Sequence, residues 1–420
     1  MSKSLIKIVF HLDLPAPTLV KGSDLTKAVC NRRVKLDKRR RQAGNLQSFI
    51  RKEPILVISG VLAVLSCLAV PPSAAYLGYL NWRTLALLFC MMAIVAGASG
   101  AGMFEWISRK ITGGITDQRK LSRALMLLCF VLAMFITNDV TLVTVVPLSM
   151  LLMRGAAERT LILTLVQETI AANLGSMVTP FGNPQNLYLS SFYGIDTGRF
   201  LQLMLPYALL SLGLLLLQSF LIPKGSVPAG GDESEVERMQ VQTGSWALYG
   251  VLFAGAVLAV LRILSIWLVL LAVTVVLLLH NRQALRRVNY SLLLTFVFFF
   301  ILIGNLGNMS EIRSAILSVL QGHELLVSVL ASQVVSNVPA AILLSGFTPE
   351  GELLVVGTNL GGLGTLIASM ASIITFQLYA GRRNAQTVRY FGEFTLWNFL
   401  DLAALLLLAW LLQWVSVLPG

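Results

Sequence analysis

Residues 135–148 read FITNDVTLVTVVPL, so that a short polar triplet stands between two long apolar stretches. The triplet is Thr137, Asn138 and Asp139. Polar side chains and irregular backbone are costly at the depth of a bilayer unless they are buried in protein or line a water-filled cavity. We therefore interpret this stretch as a re-entrant helical hairpin of a membrane protein, with its tip at residues 137–139.

A second polar interruption of the same kind occurs in the other half of the chain. Residues 335–341 read VSNVPAA and again lie between apolar runs, which places Asn337 at a second tip, residues 336–338. Two interruptions at corresponding places in two halves are the best sequence-level indication of the binding site of a secondary transporter. The pair therefore predicts a transporter with an internal repeat.

Two other apolar segments are broken by proline and glycine. The first break is TPFGNPQN at 179–186 and the second is GTNLGGLGT at 357–365. Proline removes a backbone hydrogen bond, and glycine lets the backbone approach a ligand or a neighbouring helix closely. An Asn-Leu-Gly motif stands at 173–175 and again at 359–361, and in both copies a threonine follows six residues after the asparagine. This correspondence predicts an inverted repeat of the two halves.

The composition agrees with a membrane protein. Of 420 residues, 56% are hydrophobic and only 12% are charged, which is about half the charged fraction of a soluble domain. We predict an all-α polytopic membrane protein, an inverted repeat of helices with two re-entrant hairpins and two broken transmembrane helices. The predicted domains are a basic cytoplasmic N-terminal tail (1–53), a first transmembrane half (54–222), a cytoplasmic linker (223–243) and a second transmembrane half (244–420).

Basic residues indicate the orientation. The predicted spans outside the hairpins are 54–70, 84–104, 161–178, 200–222, 246–260, 263–279, 292–303, 353–380 and 399–418. The net charge of +12 is concentrated in the N-terminal tail and in a few loops, and such loops remain on the cytoplasmic side. We expect a multi-pass protein of the plasma (inner) membrane with a cytoplasmic N-terminus. Because the positive charge flanks apolar segments, we expect the lipid bilayer, and no nucleic acid, as its partner.

The hairpin tips and the breaks supply the candidate binding residues. Substrate- and ion-binding residues are predicted at Thr137, Asn138, Asp139, Thr179, Gly182, Asn183, Asn186, Ser336, Asn337, Asn359, Gly361, Gly362 and Thr365. Amide and hydroxyl oxygens suit Na⁺, which Asn138 and Asn337 could bind, and helix N-termini suit an anion. We predict no cofactor apart from a co-transported Na⁺ or H⁺. No arginine or lysine lies in the middle of a predicted span, so an anion would depend on helix dipoles and the co-transported cation.

Structural alternatives remain open for these residues. The tip asparagines could be hydrogen-bonding links between helices, the glycines of the second break could serve tight packing, and Asn183 and Asn186 could satisfy backbone groups freed by the prolines. Asp139 could bind a cation or proton or be a structural carboxylate. Glu168 could face the same cavity or be structural, and Asp401 is expected at the cytoplasmic end of the last span.

The hairpins and the first break together resemble the ion transporter superfamily. Its members include citrate transporter-like permeases, arsenite permeases, divalent anion:sodium symporters and a sodium/proton antiporter branch. The resemblance covers roughly residues 54–418 and implies a scaffold and a transport domain, an elevator-like motion and a homodimer. In the dicarboxylate symporters two Ser-Asn-Thr tips hold carboxylate and sodium. The sequences at 137–139 and 336–338 take those places, and both depart from Ser-Asn-Thr.

These observations leave three possible transport functions and one possible function of another class, an enzyme. The leading hypothesis is a secondary active transporter that takes a small anion, a carboxylate or inorganic oxyanion, by alternating access and couples it to Na⁺ or H⁺. The second is a Na⁺/H⁺ antiporter that uses Asp139, and the third is an arsenite or antimonite efflux permease with a soluble ATPase as partner. An intramembrane enzyme is disfavoured, because the spans contain no paired aspartates, Ser/His pair or metal-binding pattern.

Overall fold

The computed structural model describes residues 53–226 and 245–415. These residues form nineteen α-helices and no named strand, which confirms the predicted all-α class. From Ile58 onward the described residues belong to one compact unit. Most of the predicted N-terminal tail and linker, and the last residues of the predicted final span, lie outside the described residues.

The first half contains nine helices. They are α1 (Pro54–Ala69), α2 (Tyr76–Tyr79), α3 (Trp82–Gly100), α4 (Met103–Thr112), α5 (Gln118–Phe135), α6 (Asn138–Leu152), α7 (Glu158–Ser176), α8 (Pro184–Tyr193) and α9 (Thr197–Gln218). A short 3₁₀ turn, Ser219–Leu221, extends α9. Helix α7 is buried along nearly its whole length, in contact with α5, α6 and α9. It therefore forms the centre of this half.

The second half contains ten helices. They are α10 (Trp246–Val260), α11 (Ile266–His280), α12 (Arg282–Arg286), α13 (Tyr290–Gly307), α14 (Ser310–Leu320), α15 (Glu324–Val335), α16 (Asn337–Ser345), α17 (Gly351–Leu360), α18 (Met370–Ala380) and α19 (Thr387–Trp414). Helix α17 is buried except at Glu352 and contacts α15, α16 and α8. It occupies the same central position in this half that α7 occupies in the first.

Several helices are long and apolar enough to cross a membrane. Within the described residues there are four by length and composition, namely α3, α9 with its 3₁₀ turn, α13 and α19. Helices α14 and α15 together form a fifth apolar element, bent by 109°. Other apolar helices, such as α6 and α18, are shorter than a full span, as expected of hairpin limbs and broken helices. The structure is that of a polytopic membrane protein.

Both polar interruptions lie between two helices that contact each other. Helix α5 ends at Phe135, two extended residues follow, and α6 starts at Asn138. Between α15 and α16 only Ser336 breaks the helix, with φ 75° and ψ 153°. That conformation is essentially restricted to glycine and costs of order 1–3 kcal/mol in any other residue. Such strain persists where surrounding contacts hold the backbone, and it often marks a functional position.

The two breaks hold the hairpins by equivalent contacts. Thr179 donates its hydroxyl hydrogen bond to the backbone oxygen of Met134 at 2.5 Å, and Thr365 donates to the backbone oxygen of Gln333 at 3.1 Å. Each accepting residue lies four positions before the tip asparagine of its own hairpin. Because the two threonines correspond in the predicted repeat, this match supports a two-fold relation between the halves.

The last helix differs from the prediction. It runs from Thr387 to Trp414, so it begins twelve residues before the predicted span at 399–418. Hydropathy detects only the apolar part of a helix, whereas a helix with polar residues in its first turns can continue beyond the hydrocarbon region. In consequence Asp401 lies in the middle of this helix, where it is 1% exposed and accepts a hydrogen bond from Gln218 Nε2 at 2.5 Å.

Helix α4 was also missed, because its residues were assigned to a basic loop. It buries Phe104 and Ser108 and leaves Trp106 largely exposed, which is the pattern of an amphipathic surface helix. The Trp106 ring lies 5.1 Å from the ring of Trp246, between centroids. This contact connects α4 to the start of α10.

Candidate functional site

The first hairpin tip makes polar contacts with both halves of the chain. Asn138 is buried at the start of α6, and its Nδ2 donates to Asn173 Oδ1 of α7 at 2.9 Å. Ser369, immediately before α18, donates to the same Asn173 oxygen at 2.9 Å. The side chain of Asn138 also accepts the backbone N–H of Asp139 at 3.0 Å. The tip thereby joins α7 and the second break.

Two hydrogen bonds between the halves are equivalent under the repeat. Asn173 Nδ2 donates to Ser372 Oγ at 3.3 Å, and Asn359 Nδ2 donates to Asn186 Oδ1 at 2.6 Å. The sequence offset that carries Asn173 onto Asn359 also carries Asn186 onto Ser372. We call these two buried hydrogen-bonded groups, Asn138–Asn173–Ser369–Ser372 and Asn186–Asn359, the polar crossing. Asn173 and the two serines were not predicted as site residues, although this offset could have identified the serines.

The second hairpin tip has a similar local hydrogen bond but fewer long-range contacts. Asn337 is buried at the start of α16, and its Oδ1 accepts the backbone N–H of Val338 at 2.9 Å, as Asn138 does for Asp139. Ser336 donates to the backbone oxygen of Ala368 at 3.3 Å. A Cβ atom at Gly362 would lie 2.9 Å from Asn337 Nδ2, so glycine permits the close approach of the second break to this tip.

Several predicted binding residues also make structural contacts. Asn186 Nδ2 donates to the backbone oxygens of Ser176 and Thr179 at 3.2 and 3.3 Å, which agrees with the structural alternative for this residue. Asn183 Nδ2 donates to a side chain, Ser176 Oγ, at 2.5 Å. A Cβ at Gly182 would lie 2.9 Å from the backbone oxygen of Ala133, and one at Gly361 would lie 2.7 Å from Ser332. Both glycines therefore serve close packing.

Some buried polar atoms beside the polar crossing have no partner. Among the described residues, both amide atoms of Gln185, the Oδ1 of Asn359 and the hydroxyl of Thr141 are buried without a hydrogen bond. Gln185 is 1% exposed and lies in the first break, directly before Asn186. Buried amides without partners are rare and often indicate an ion, water or ligand that belongs there. Gln185 was not predicted, although it belongs to the TPFGNPQN motif.

A cavity of about 290 Å³ adjoins the first hairpin tip. Its lining includes Thr137 and Asp139 of the tip, Phe181 of the first break, and Arg287 and Asn289 before α13. The side chain of Arg287 also approaches Gly100 at the end of α3. The volume is at the lower limit of that of small-molecule pockets. A cation therefore lies in reach of the tip, which the sequence interpretation did not anticipate because Arg287 belongs to a loop.

The two carboxylates near the first hairpin have different surroundings. Asp139 lines the cavity and forms no ion pair among the described residues. Glu168 is fully buried in α7 and accepts a hydrogen bond from Ser149 of α6 at 2.5 Å, so it links the hairpin to the central helix. It is not part of the cavity lining. The second oxygen of Glu168, Oε2, is buried without a partner among the described residues, so Ser149 satisfies only part of this carboxylate. Asp139 is the carboxylate that lines the cavity.

In this protein two hairpins and two broken helices meet at buried amide side chains, and this arrangement is typical of polytopic membrane transporters. A comparison with protein families confirms this class: residues 49–350 match the model of the citrate transporter family, and the chain belongs to that family. It is 33% identical to an uncharacterised transporter of Methanocaldococcus jannaschii, over 72% of this chain and 82% of the relative. It is 32% identical to the inner membrane protein YbiR of Escherichia coli, with the same coverages. A silicon efflux transporter of rice, LSI3, is 32% identical over 31% of this chain and 27% of its own.

Proposed function

We propose that the protein is a secondary active transporter that moves a small anion, a carboxylate or an inorganic oxyanion, and couples its movement to Na⁺ or H⁺. The observation that carries the proposal is the polar crossing. The amide of Gln185, which has no partner among the described residues, adjoins it in sequence, and a cavity lies beside the first hairpin tip. Membership of the citrate transporter family supports a small anionic solute.

Two parts of the site suit the two solutes. The guanidinium of Arg287 and the N-terminus of α6 provide positive charge to an anion in the cavity. The amide oxygens of Asn138, Asn337 and Asn359 and the carbonyl groups of the breaks provide oxygen ligands of the kind that Na⁺ prefers. Rearrangement of the hairpins relative to the breaks would then open the site to either side in turn.

The orientation and assembly are part of the same proposal. We place the N-terminus and the basic loops in the cytoplasm, because positively charged loops are retained on that side. The cavity with Arg287 then opens toward the cytoplasm, since Arg287 lies in one of these loops. We also propose a homodimer in the plasma membrane, in keeping with the superfamily that the motifs resemble.

Uptake into proteoliposomes tests the proposal. Radiolabelled citrate, succinate, sulfate and arsenite are offered with an inward Na⁺ gradient, an inward H⁺ gradient or neither. Silicic acid belongs in the panel because the rice relative is named a silicon efflux transporter. We expect one anion to enter faster under one of the two gradients than in its absence. Equal flux with and without both gradients would favour an uncoupled permease, of the arsenite-efflux kind.

Asp139 supports a second candidate, a Na⁺/H⁺ antiporter. Its carboxylate lines the cavity without an ion pair among the described residues, and an unpaired carboxylate at membrane depth is a typical ion or proton site. An antiporter would change the internal pH of vesicles on addition of Na⁺ in the absence of any anion. Asp139→Asn would abolish that change. If the wild type produces no such change while it accumulates an anion, the antiporter is excluded.

Substitution of Arg287 tests whether the transported anion binds beside this residue in the cavity. Arg287→Gln is expected to raise the KM for the transported anion at least about tenfold, because a charge-assisted contact contributes roughly 1.5–3 kcal/mol. Arg286→Gln is the matched control: it removes the same charge one residue earlier, from an exposed side chain that does not line the cavity. If both variants raise KM equally, Arg287 acts only through the general surface charge.

A further inference from the structure

A small enclosed pocket lies at the other end of α3 from Arg287. It is lined by Arg83 at the start of α3, Ser190 and Ser191 of α8, Thr197 at the start of α9 and Arg262 between α10 and α11. The enclosed space is about 10 Å³, enough for about one oxygen-sized group. None of these residues belongs to the polar crossing or to the cavity beside the first tip.

The two arginines bring uncompensated positive charge to this pocket. Neither Arg83 nor Arg262 forms an ion pair with any carboxylate of the described residues. Arg83 donates one hydrogen bond, from Nη2 to the backbone oxygen of Ala259 at 3.0 Å, and the guanidinium of Arg262 lies over Gly194. Two like charges that share one pocket repel each other unless an anion lies between them.

The serines provide hydrogen-bond donors that have no acceptor. The hydroxyl groups of Ser190 and Ser191 are buried and make no hydrogen bond in the structure. Ser190 is only 7% exposed, so its hydroxyl cannot be satisfied by bulk solvent. A buried hydroxyl without a partner costs roughly 1–3 kcal/mol. A group that accepts hydrogen bonds from inside the pocket would remove this cost.

The helix geometry adds positive potential from the backbone. Helices α3 and α9 both begin at the pocket, at Trp82 and at Thr197, and both are long. Both N-termini carry side-chain caps: Asn81 accepts the backbone N–H of Thr84, and Asp196 accepts the backbone N–H of Gly198. The carboxylate of Asp196 offsets part of the dipole of α9, so the arginines and the serine hydroxyls provide the main preference for a negatively charged group.

We propose that this pocket binds an oxyanion: one negatively charged oxygen of a carboxylate, sulfate or phosphate enters between Arg83 and Arg262 and accepts hydrogen bonds from Ser190 and Ser191. The remainder of the ligand stays at the opening, because the enclosed space accommodates only one oxygen. The oxyanion comes either from a soluble anion or from a lipid phosphate group, since Arg83 lies at the start of α3, a helix long and apolar enough to cross a membrane. The inference is independent of the proposed transport function.

Direct binding of [³⁵S]sulfate to purified protein tests the pocket. The measurement uses the Arg287→Gln protein, so that sulfate bound beside Arg287 in the cavity at the first tip contributes less. We expect saturable binding that Arg83→Gln/Arg262→Gln weakens at least about tenfold, because two charge-assisted contacts are lost. Ser190→Ala should weaken it several-fold, and Arg83→Lys/Arg262→Lys should retain most of it.

A lipid arm and a control variant complete the experiment. Native mass spectrometry of protein from nanodiscs with phosphatidylglycerol tests whether a retained lipid is lost in Arg262→Gln. Arg262 makes no side-chain hydrogen bond with the described residues, so this single variant should fold. The same substitution in the wild-type protein is compared if the Arg287→Gln protein is not monodisperse. Arg313→Gln removes an exposed arginine elsewhere and should change neither readout.

Loss of lipid alone identifies a lipid phosphate site. If neither sulfate nor lipid binding depends on Arg262, the proposal is wrong.

Discussion

Asn138→Ala and Asn337→Ala are each expected to reduce transport about 100-fold, equivalent to about 2.7 kcal/mol, which is within the cost of leaving buried polar partners unsatisfied. Asn138 donates to Asn173, and the side chains of Asn138 and Asn337 each accept the backbone N–H of the following residue. Loss of either amide removes a donor and an oxygen ligand from one hairpin tip. Because the site is built from both halves, one altered tip is sufficient to disable it.

Initial uptake rates, normalised to the amount of reconstituted protein, measure this effect. Asn308→Ala is the matched control, since Asn308 is an exposed amide at the end of α13 that bonds to Tyr79 away from both tips. It should transport at nearly the wild-type rate. Gel filtration and thermal unfolding establish that the tip variants are folded. If both folded tip variants transport normally, the assignment of the site to the hairpin tips is wrong.

Gly175→Ala is expected to prevent correct packing of the first half. A Cβ at this position would overlap the backbone oxygen of Phe130 and lie 2.7 Å from its carbonyl carbon. Backbone cannot rotate away as a flexible side chain can, so α5 and α7 must separate. Overpacking of a well-packed core typically costs 1–3 kcal/mol, and more where the contact is rigid. We expect a loss of several degrees in the apparent melting temperature, or failure to obtain monodisperse protein.

Gly213→Ala is the control for this substitution. Gly213 lies inside α9 with open space around its Cβ position, and alanine is a better helix former than glycine by roughly 1 kcal/mol. It should unfold at the wild-type temperature or slightly above. Equal stability of the Gly175 and Gly213 variants would contradict the close α5–α7 packing on which the position of the first tip depends.

The arrangement of hairpins and breaks could be predicted because polar and helix-breaking residues are rare in apolar segments. The hairpin tips, the two breaks and the Thr179/Thr365 correspondence all follow from residues that are unusual in their local context. The start of α19 could not be predicted in the same way, since its first turns are polar and carry no hydropathy signal. Asp401 was misplaced for this reason alone.

A site residue could be predicted only where it differs in polarity from the residues that surround it in the sequence. Asn138 and Asn337 stand out in apolar runs, whereas Ser369 and Ser372 are ordinary residues for a helix start, and only the repeat offset distinguishes them. Arg287, Arg83 and Arg262 lie at the ends of apolar segments, where a cation is usual. Which of these cations faces a cavity depends on how distant helices pack, and local sequence does not contain that information.

Concentrative uptake tests the central claim most directly. Proteoliposomes with the wild-type protein are given the anion identified by the uptake panel at equal concentration inside and outside, and a Na⁺ or H⁺ gradient is then imposed. We predict that the internal concentration rises above the external one under one gradient, and that an ionophore which dissipates that gradient abolishes the rise. An internal concentration that never exceeds the external one under either gradient, in protein that still carries the anion, would contradict coupled transport.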